Sequence, residues 1–451
     1  MRGRMTLAVV GGGWAGLAAA VRGTQAGHAV TLFDMAGHLG GRARGVDVGP
    51  LALDNGQHIL IGAYVRTLDL MRTIGVDVEA VLYRQPLELR YPDGRGLRMP
   101  KGHPVLAFVR SVAACRGWTL RDRSALLTAA GHWAAAGFRC DPQLSVAQLC
   151  ARLPAAVREL LIDPLCVAAL NTPAHDASAQ VLLTVLRDAL FTGRGSADLL
   201  LPRQPLDALL PHPAHAWLQA QGAQVAFNRR VQAVLPDGTG WAVDGRRFDN
   251  VVLACTAAEA ARLAEPTAPA WALRARALRY EPILTVYLQC PGARLPAPMT
   301  ALVESDKEPA QFAFDHGALG GHKGVFAFVV SGAARWSEAG LAATGAAVLQ
   351  QAKTAFPSGT WPGAPTLLRV MAEKRATFRC TPGLDRPPTE LVSGLVAAGD
   401  YIAGPYPATL EGAVRSGEGA VAALAARCIK AGQAVALQAG VRVTAPAAPQ
   451  V

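Results

Sequence analysis

Two arrangements of cysteine are missing from this 451-residue chain: its eight cysteines include no CxxC pair and no His/Cys cluster at metal-ligand spacing. Neither a metal site nor a disulfide framework is therefore expected, and the thiols read as reduced and mostly buried, as in a cytoplasmic protein. Past the N-terminal strand no segment approaches the roughly 18 uninterrupted apolar residues of a membrane span, so any bilayer is met from one side. No unit recurs at a fixed period, which argues against a solenoid. Charge is sparse, at 17% of residues, but biased, with 44 Lys and Arg against 33 Asp and Glu. The arginines are scattered, and no basic helix or finger spacing is present to read bases, so no nucleic-acid partner is expected. Peripheral contact with an anionic membrane surface, at the inner face of the cytoplasmic membrane, is the better use of the charge; a merely solvated basic surface is the plain alternative. The 51% hydrophobic content argues against disorder, and the length suits two or three domains.

Residues 5–16, MTLAVVGGGWAG, follow Arg2 and Arg4 and lead to Ala18-Ala19-Ala20, a superficial match to a secretion signal. The glycines contradict it, because each costs a helix roughly 1 kcal/mol relative to alanine. A strand, turn and helix need them instead. Gly11 permits the tight turn, Gly13 lets backbone amides approach a pyrophosphate, and Gly16 lets the helix pack close to the strand. The diphosphate then meets free N–H groups at the positive end of the helix dipole. The next strand, His28 to Phe33, ends on Asp34, whose carboxylate can accept from a ribose hydroxyl.

Farther along, strand-like runs appear at 224–227 and 230–234, then at 250–255 after the turn signal Pro236-Asp237-Gly238, and last at 394–398. The sequence divides into a nucleotide domain of discontinuous segments (1–75, 205–262 and 385–430) and a substrate domain built from two inserts (76–204 and 263–384). The first insert carries helical spacing at 124–136 and 179–190; the second carries β-like runs at 284–288 and 325–330. Residues 431–451 read as a frayed tail.

A lone GxGxxG does not tell a nicotinamide from a flavin nucleotide. Two further elements narrow the choice. Leu39-Gly40-Gly41-Arg42-Ala43-Arg44 follows the second strand, and Arg42 can fork onto phosphate oxygens while the glycines admit the backbone. Gly399-Asp400-Tyr401 then precedes Ala408 to Gly417, a strand end with a carboxylate, a loop and a helix start crowded with small residues. Asp400 suits a ribityl hydroxyl or a phosphate-bound water, and the helix start suits the flavin edge that becomes negative on reduction.

VVGGGWAGLAAA, LGGRAR and AAGDYIAGPYPATLEGAVRSGEGA together resemble the flavin-containing amine oxidase and phytoene desaturase superfamily. Within it, LDNGQHILIGAY (53–64) and PLCVAALNTPAHDASAQVLLTVLRDALF (164–191) are similar to the hydroxysqualene dehydroxylases, the squalene-associated FAD-dependent desaturases. The resemblance spans residues 6 to about 427. It implies an α/β fold, a Rossmann-like FAD-binding domain of discontinuous segments with an inserted α+β substrate domain. It also implies FAD as cofactor and a long-chain isoprenoid as substrate, with the hydroxyl of hydroxysqualene replaced by hydrogen on the route to hopanoids. FAD would be held by Gly11, Gly13, Gly16, Asp34, Gly41, Arg42, Val231, Gly399, Asp400 and Leu410. Asp34 stands where the superfamily more often has glutamate.

Loss of hydroxide from an allylic carbon calls for an acid near the oxygen and little water elsewhere. Asp54, His58, Tyr406 and Glu411 are the catalytic candidates, on segments expected to border the isoalloxazine. His58 leads as the acid because histidine is most readily poised near neutral pH, with a hydrogen bond from His58 and Gln57 to the flavin as the alternative. Asn171 and Thr172 are expected to line the substrate cavity, unless Thr172-Pro173 is only a helix boundary. The helix-like stretch from His103 to Trp118 is expected to form a membrane-facing entrance, or else to pack inside the insert. A carotenoid-type desaturase is the nearest rival. An amine oxidase is disfavoured because Tyr406 alone is conveniently placed to offer an aromatic face. No second glycine turn for NADPH is present, which leaves the electron donor external.

Overall fold

Thr6–Val10 (β1), Trp14–Gln25 (α1) and Ala29–Phe33 (β2) make the opening unit, and the structure, a computed structural model, describes residues 4–438. β1 and β2 are parallel, pairing Thr6 with Ala29 through Val10 with Phe33. At their junction Gly11 adopts φ +110°, and a Cβ there would lie 2.6 Å from Ala254 O, so both the conformation and the space require glycine. α1 is rich in alanine and almost wholly buried, because it packs between the sheet and the C-terminal helix Leu410–Gln438. That helix begins inside the fold and continues through the first part of the expected tail; residues 439–451 lie outside the described residues.

The main sheet has six strands in the order 224–226, β2, β1, 250–253, 395–397, 390–392. The first five are parallel, and Glu390–Val392 closes the edge antiparallel. β1 is therefore flanked by a strand close in sequence and by one some 240 residues away, and the crevice beyond its carboxyl end is the usual ligand position in such sheets. A second, five-stranded antiparallel sheet uses 299–301, 312–315, 325–330, 280–289 and 366–378. The helices Pro104–Ala114, Leu120–Ala135, Asp163–Leu170 and Ala179–Phe191 complete the wall of the space that this sheet faces.

The expected strand over 230–234 does not form. Val231 is buried in an irregular stretch, and the strand starts only at Val234, in the meander 234–237, 240–243, 246–248. The cause is competition for the backbone: Arg262 donates to Val231 O and Gln232 O, and Asp244 Oδ1 accepts from Gln232 N and Ala233 N. With those groups satisfied by side chains, no ladder is needed. The entrance helix is likewise shorter than the expected 103–118. It starts with Pro104 at its first turn and stops at Ala114, where Cys115 turns extended and Arg116 bridges to Gly96.

Candidate functional site

The three glycine-bearing segments converge on one cavity of about 870 Å³. Gly11, Gly13, Asp34, Gly41, Arg42, Val231, Gly399, Asp400 and Leu410 all lie on its wall. Gly16 sits beneath the turn rather than on the wall: a Cβ there would be 1.8 Å from Gly11 O, so glycine is needed for close packing of helix on strand. A Cβ on Gly13 would meet only Gly41 Cα, at 4.0 Å, and would otherwise project into the open space. Asp34 Oδ2 accepts from Gly12 N at 2.6 Å and Oδ1 from Ala36 N at 2.7 Å, which fixes the carboxylate at the end of β2 with lone pairs to spare. Arg42 is less free than the phosphate fork expected of it. Its guanidinium donates to Asp400 Oδ1 at 2.5 Å and to the carbonyls of Arg375 and Ala376, and so clamps the 400 loop to the long strand 366–378.

Gln57 and Tyr401, both on this wall, each have a buried side-chain oxygen, Oε1 and Oη, without a hydrogen-bond partner among the described residues. The uncapped helix start at Gly13, the room beyond its Cα and the Asp34 carboxylate with lone pairs to spare fit a bound dinucleotide. Away from the glycines the cavity continues without a break into an apolar arm. Leu89, Leu97, Phe108, Leu126, Leu161 and Leu186 from the helical insert face Ile283, Phe312 and Phe314 from the second sheet.

The catalytic candidates separate on this wall. His58 faces the cavity, and its Nδ1 lies 2.7 Å from Gly56 O, so that nitrogen carries the proton and Nε2 presents a lone pair. Burial, reinforced by the charge of Arg42, holds its pKa below the usual histidine value. With the proton on Nδ1, the nitrogen toward the cavity is an acceptor, which favours the alternative role of hydrogen-bond partner to the flavin over that of acid. Asp54 does not reach the cavity: its Oδ1 accepts from Leu206 N at 2.8 Å, and burial, with the charge of Asp207 adding to it, pushes its pKa up to about 7. Glu411 does not reach it either. The carboxylate is fully buried and accepts from Arg66 N, Thr67 N, Thr67 Oγ1 and Arg415 Nε, capping the helix Val65–Thr73. Thr172 is also off the wall, with Oγ1 donating to Leu170 O and accepting from Cys380 N. Asn171 does line the arm at φ +45°, its amide tied to Glu281 O, Thr377 Oγ1 and Gly332 N.

Tyr406 lies on the wall in a left-handed backbone conformation, φ +59°. Its carbonyl accepts from Thr409 Oγ1, and a Cβ on Gly412 would be 2.0 Å from that oxygen, so the turn is held from both sides. Tyr64 faces it edge-on, with ring centroids 6.0 Å apart at 86°. The aromatic partner found missing by sequence reasoning is thus present, at the end of the quoted LDNGQHILIGAY stretch, although the two faces are not parallel. Burial raises both phenol pKa values, helped at Tyr64 by the charge of Glu411 and at Tyr406 by a hydrogen bond with Asp188. Both hydroxyls therefore stay protonated.

The fold and this cavity define a flavin-dependent oxidoreductase. The chain belongs to the family described as flavin containing amine oxidoreductase, whose profile matches residues 14–425. It is similar to the hydroxysqualene dehydroxylase of Rhodopseudomonas palustris, 28% identical over 438 residues, covering 91% of this chain and 96% of that protein. The hydroxysqualene dehydroxylase of Sinorhizobium fredii is 26% identical, over 91% of this chain and 95% of its own. Among solved structures, an oxidoreductase from Methanosarcina mazei superposes with a TM-score of 0.72 at 16% identity, covering 92% of this chain and 99% of that one, a likeness of fold.

Proposed function

We propose that this chain replaces the hydroxyl of hydroxysqualene by hydrogen, with FAD as its redox group, in the formation of squalene. The observation that carries the reading is the continuity of one cavity from the glycine turn to a long apolar arm. The similarity to dehydroxylases over nine-tenths of the chain supports it. FAD, when bound, supplies the hydride that replaces the hydroxyl.

The chain's own residues do the rest. Gly11, Gly13, Gly41, Val231, Gly399 and Leu410 give the dinucleotide backbone approach, Asp34 takes the ribose, and Asp400, clamped by Arg42, takes the ribityl side. The C–O bond breaks and the oxygen leaves as water, taking the proton of the Tyr406 phenol, which solvent then restores. For this the Tyr406 hydroxyl turns its proton from Asp188, its partner in the substrate-free protein, to the departing oxygen. The Tyr64 and Tyr406 rings, set edge to face, line the cavity beside the reacting carbon, and the apolar arm excludes water that would recapture the allylic cation. His58 Nε2 accepts a hydrogen bond at the flavin end.

Two experiments test this. Chemically reduced, flavin-loaded protein incubated anaerobically with hydroxysqualene is expected to yield squalene in step with flavin reoxidation; flavin that stays reduced with no squalene formed overturns the assignment. In the same assay Tyr406→Phe is expected to lose about a hundredfold in kcat with flavin retained, in the range usual for acid–base groups, and His58→Ala less than about tenfold. The reverse order restores His58 as the acid.

A further inference from the structure

We propose that the apolar arm is filled from an anionic bilayer, which the protein meets with the helices Pro104–Ala114 and Leu120–Ala135. The phosphate headgroups seat beside them, among Arg90, Arg98 and Arg116. The first observation is where the arm opens. Val109, Gly131 and Ala134 belong to the cavity wall and are at the same time exposed at the surface, so the mouth lies between these two helices.

The second observation is what surrounds the mouth. Leu106 is 59% exposed and Leu120 80% exposed, and neither lines the cavity, so both project outward from the rim. Such side chains suit the boundary of headgroups and acyl chains, into which an amphipathic surface helix sinks by about 5–10 Å.

The third observation is charge. Residues 93–141 hold eight Lys or Arg and three aspartates, of which Asp122 is buried in the capping box of the second helix and Asp93 pairs with Arg95. Lys101, Arg110, Arg116, Arg121 and Arg139 are exposed and form no ion pair among the described residues. The mouth therefore offers apolar studs in a net basic field, the complement of an anionic leaflet.

The fourth is a separate cleft of about 290 Å³ at the end of the first helix, lined by Arg90, Arg98, Arg116 and Ser111. Arg90 and Arg98 share one carboxylate, Glu88, at 2.9 and 3.8 Å. Arg116, without an ion pair among the described residues, shares the cleft wall with these two, and the planar fork of arginine matches phosphate oxygens. A phosphodiester seated there holds the mouth against the membrane.

This inference rests on the apolar-substrate reading only for what the mouth delivers, and its test uses no substrate. Flavin-loaded protein is floated with vesicles of phosphatidylcholine alone and of phosphatidylcholine mixed with phosphatidylglycerol. Binding is expected to the mixed vesicles only, and to weaken as salt rises. The double variant Arg98→Gln/Arg116→Gln is expected to partition roughly thirtyfold less, as the loss of two basic residues at an anionic surface implies. Leu106→Ser/Leu120→Ser is expected to lose about tenfold while keeping the parent's flavin content and unfolding midpoint. Flotation equal on both vesicle types, absent from both, or unchanged in the variants overturns the proposal, as does capture by RNA with no binding to vesicles.

Discussion

Glu411→Ala is expected to lower the unfolding free energy by about 3–5 kcal/mol while leaving kcat of the folded, flavin-bound fraction within about tenfold of the parent. The reason lies in the start of the helix Val65–Thr73. Its N-cap, Tyr64, makes no side-chain cap hydrogen bond, so the first backbone N–H groups need an acceptor from elsewhere. Glu411, some 345 residues away in sequence, supplies it: Oε1 takes Arg66 N at 3.1 Å and Oε2 takes Thr67 N at 2.9 Å and Thr67 Oγ1 at 2.7 Å. A carboxylate there also sits at the positive end of the helix dipole, and Arg415 Nε, at 2.7 Å, balances its charge. Truncation leaves two N–H groups, a hydroxyl and a guanidinium without their shared partner. Urea unfolding followed by flavin fluorescence and by far-UV circular dichroism measures the loss. A change under about 1 kcal/mol together with a hundredfold fall in kcat would return Glu411 to the catalytic list.

Asp54→Asn is expected to act in the opposite direction and only above a definite pH. Burial raises the Asp54 carboxyl from 3.8 to about 7 in the folded protein. A group whose folded pKa is raised contributes stability fully present below its unfolded pKa, and the contribution is lost as pH rises through the folded value. For Asp54 that window runs from about pH 4 to about pH 7, and the loss amounts to roughly 4 kcal/mol by pH 8. Asparagine carries no charge at any pH. Its oxygen keeps the bond from Leu206 N, and its amide puts a donor near Asp207, whose buried Oδ1 lacks a partner. The variant is therefore expected to match the parent near pH 4 and to exceed it by roughly 3–4 kcal/mol near pH 8. Stability curves taken across that range decide it: a constant difference, or a penalty at high pH, refutes the shift and its cause. Folded Asp54→Asn protein should turn over as the parent does, because the side chain does not reach the cavity.

Both predictions concern residues that look catalytic in the sequence and that the fold turns away from the cavity wall. What separates them from Tyr406 is not residue type. Asp54 and His58 are four residues apart, yet one carboxylate turns toward Leu206 and away from the cavity while the imidazole turns into it. Leu410 lines the cavity and Glu411, its neighbour, points to another helix. Those directions depend on partners hundreds of residues distant, which no local pattern reveals. Tyr64 was legible in principle, since it ends a stretch already singled out, but its meeting with Tyr406 depends on the same long-range packing.

The glycine turn, the strand on each side of it and the carboxylate at the end of the second strand follow from backbone sterics and from the period of apolar residues. These are properties of a few adjacent residues, so the string of letters 6–34 was sufficient for them. The union of the glycine turn with the 39–44 and 399–417 segments, the single cavity running from nucleotide cradle to apolar arm, and the pKa shifts of Asp54, His58 and Tyr406 were settled by folding. They depend on burial and on which distant donor or acceptor arrives first, as when Arg262 and Asp244 took the backbone of 231–233 and left no strand there.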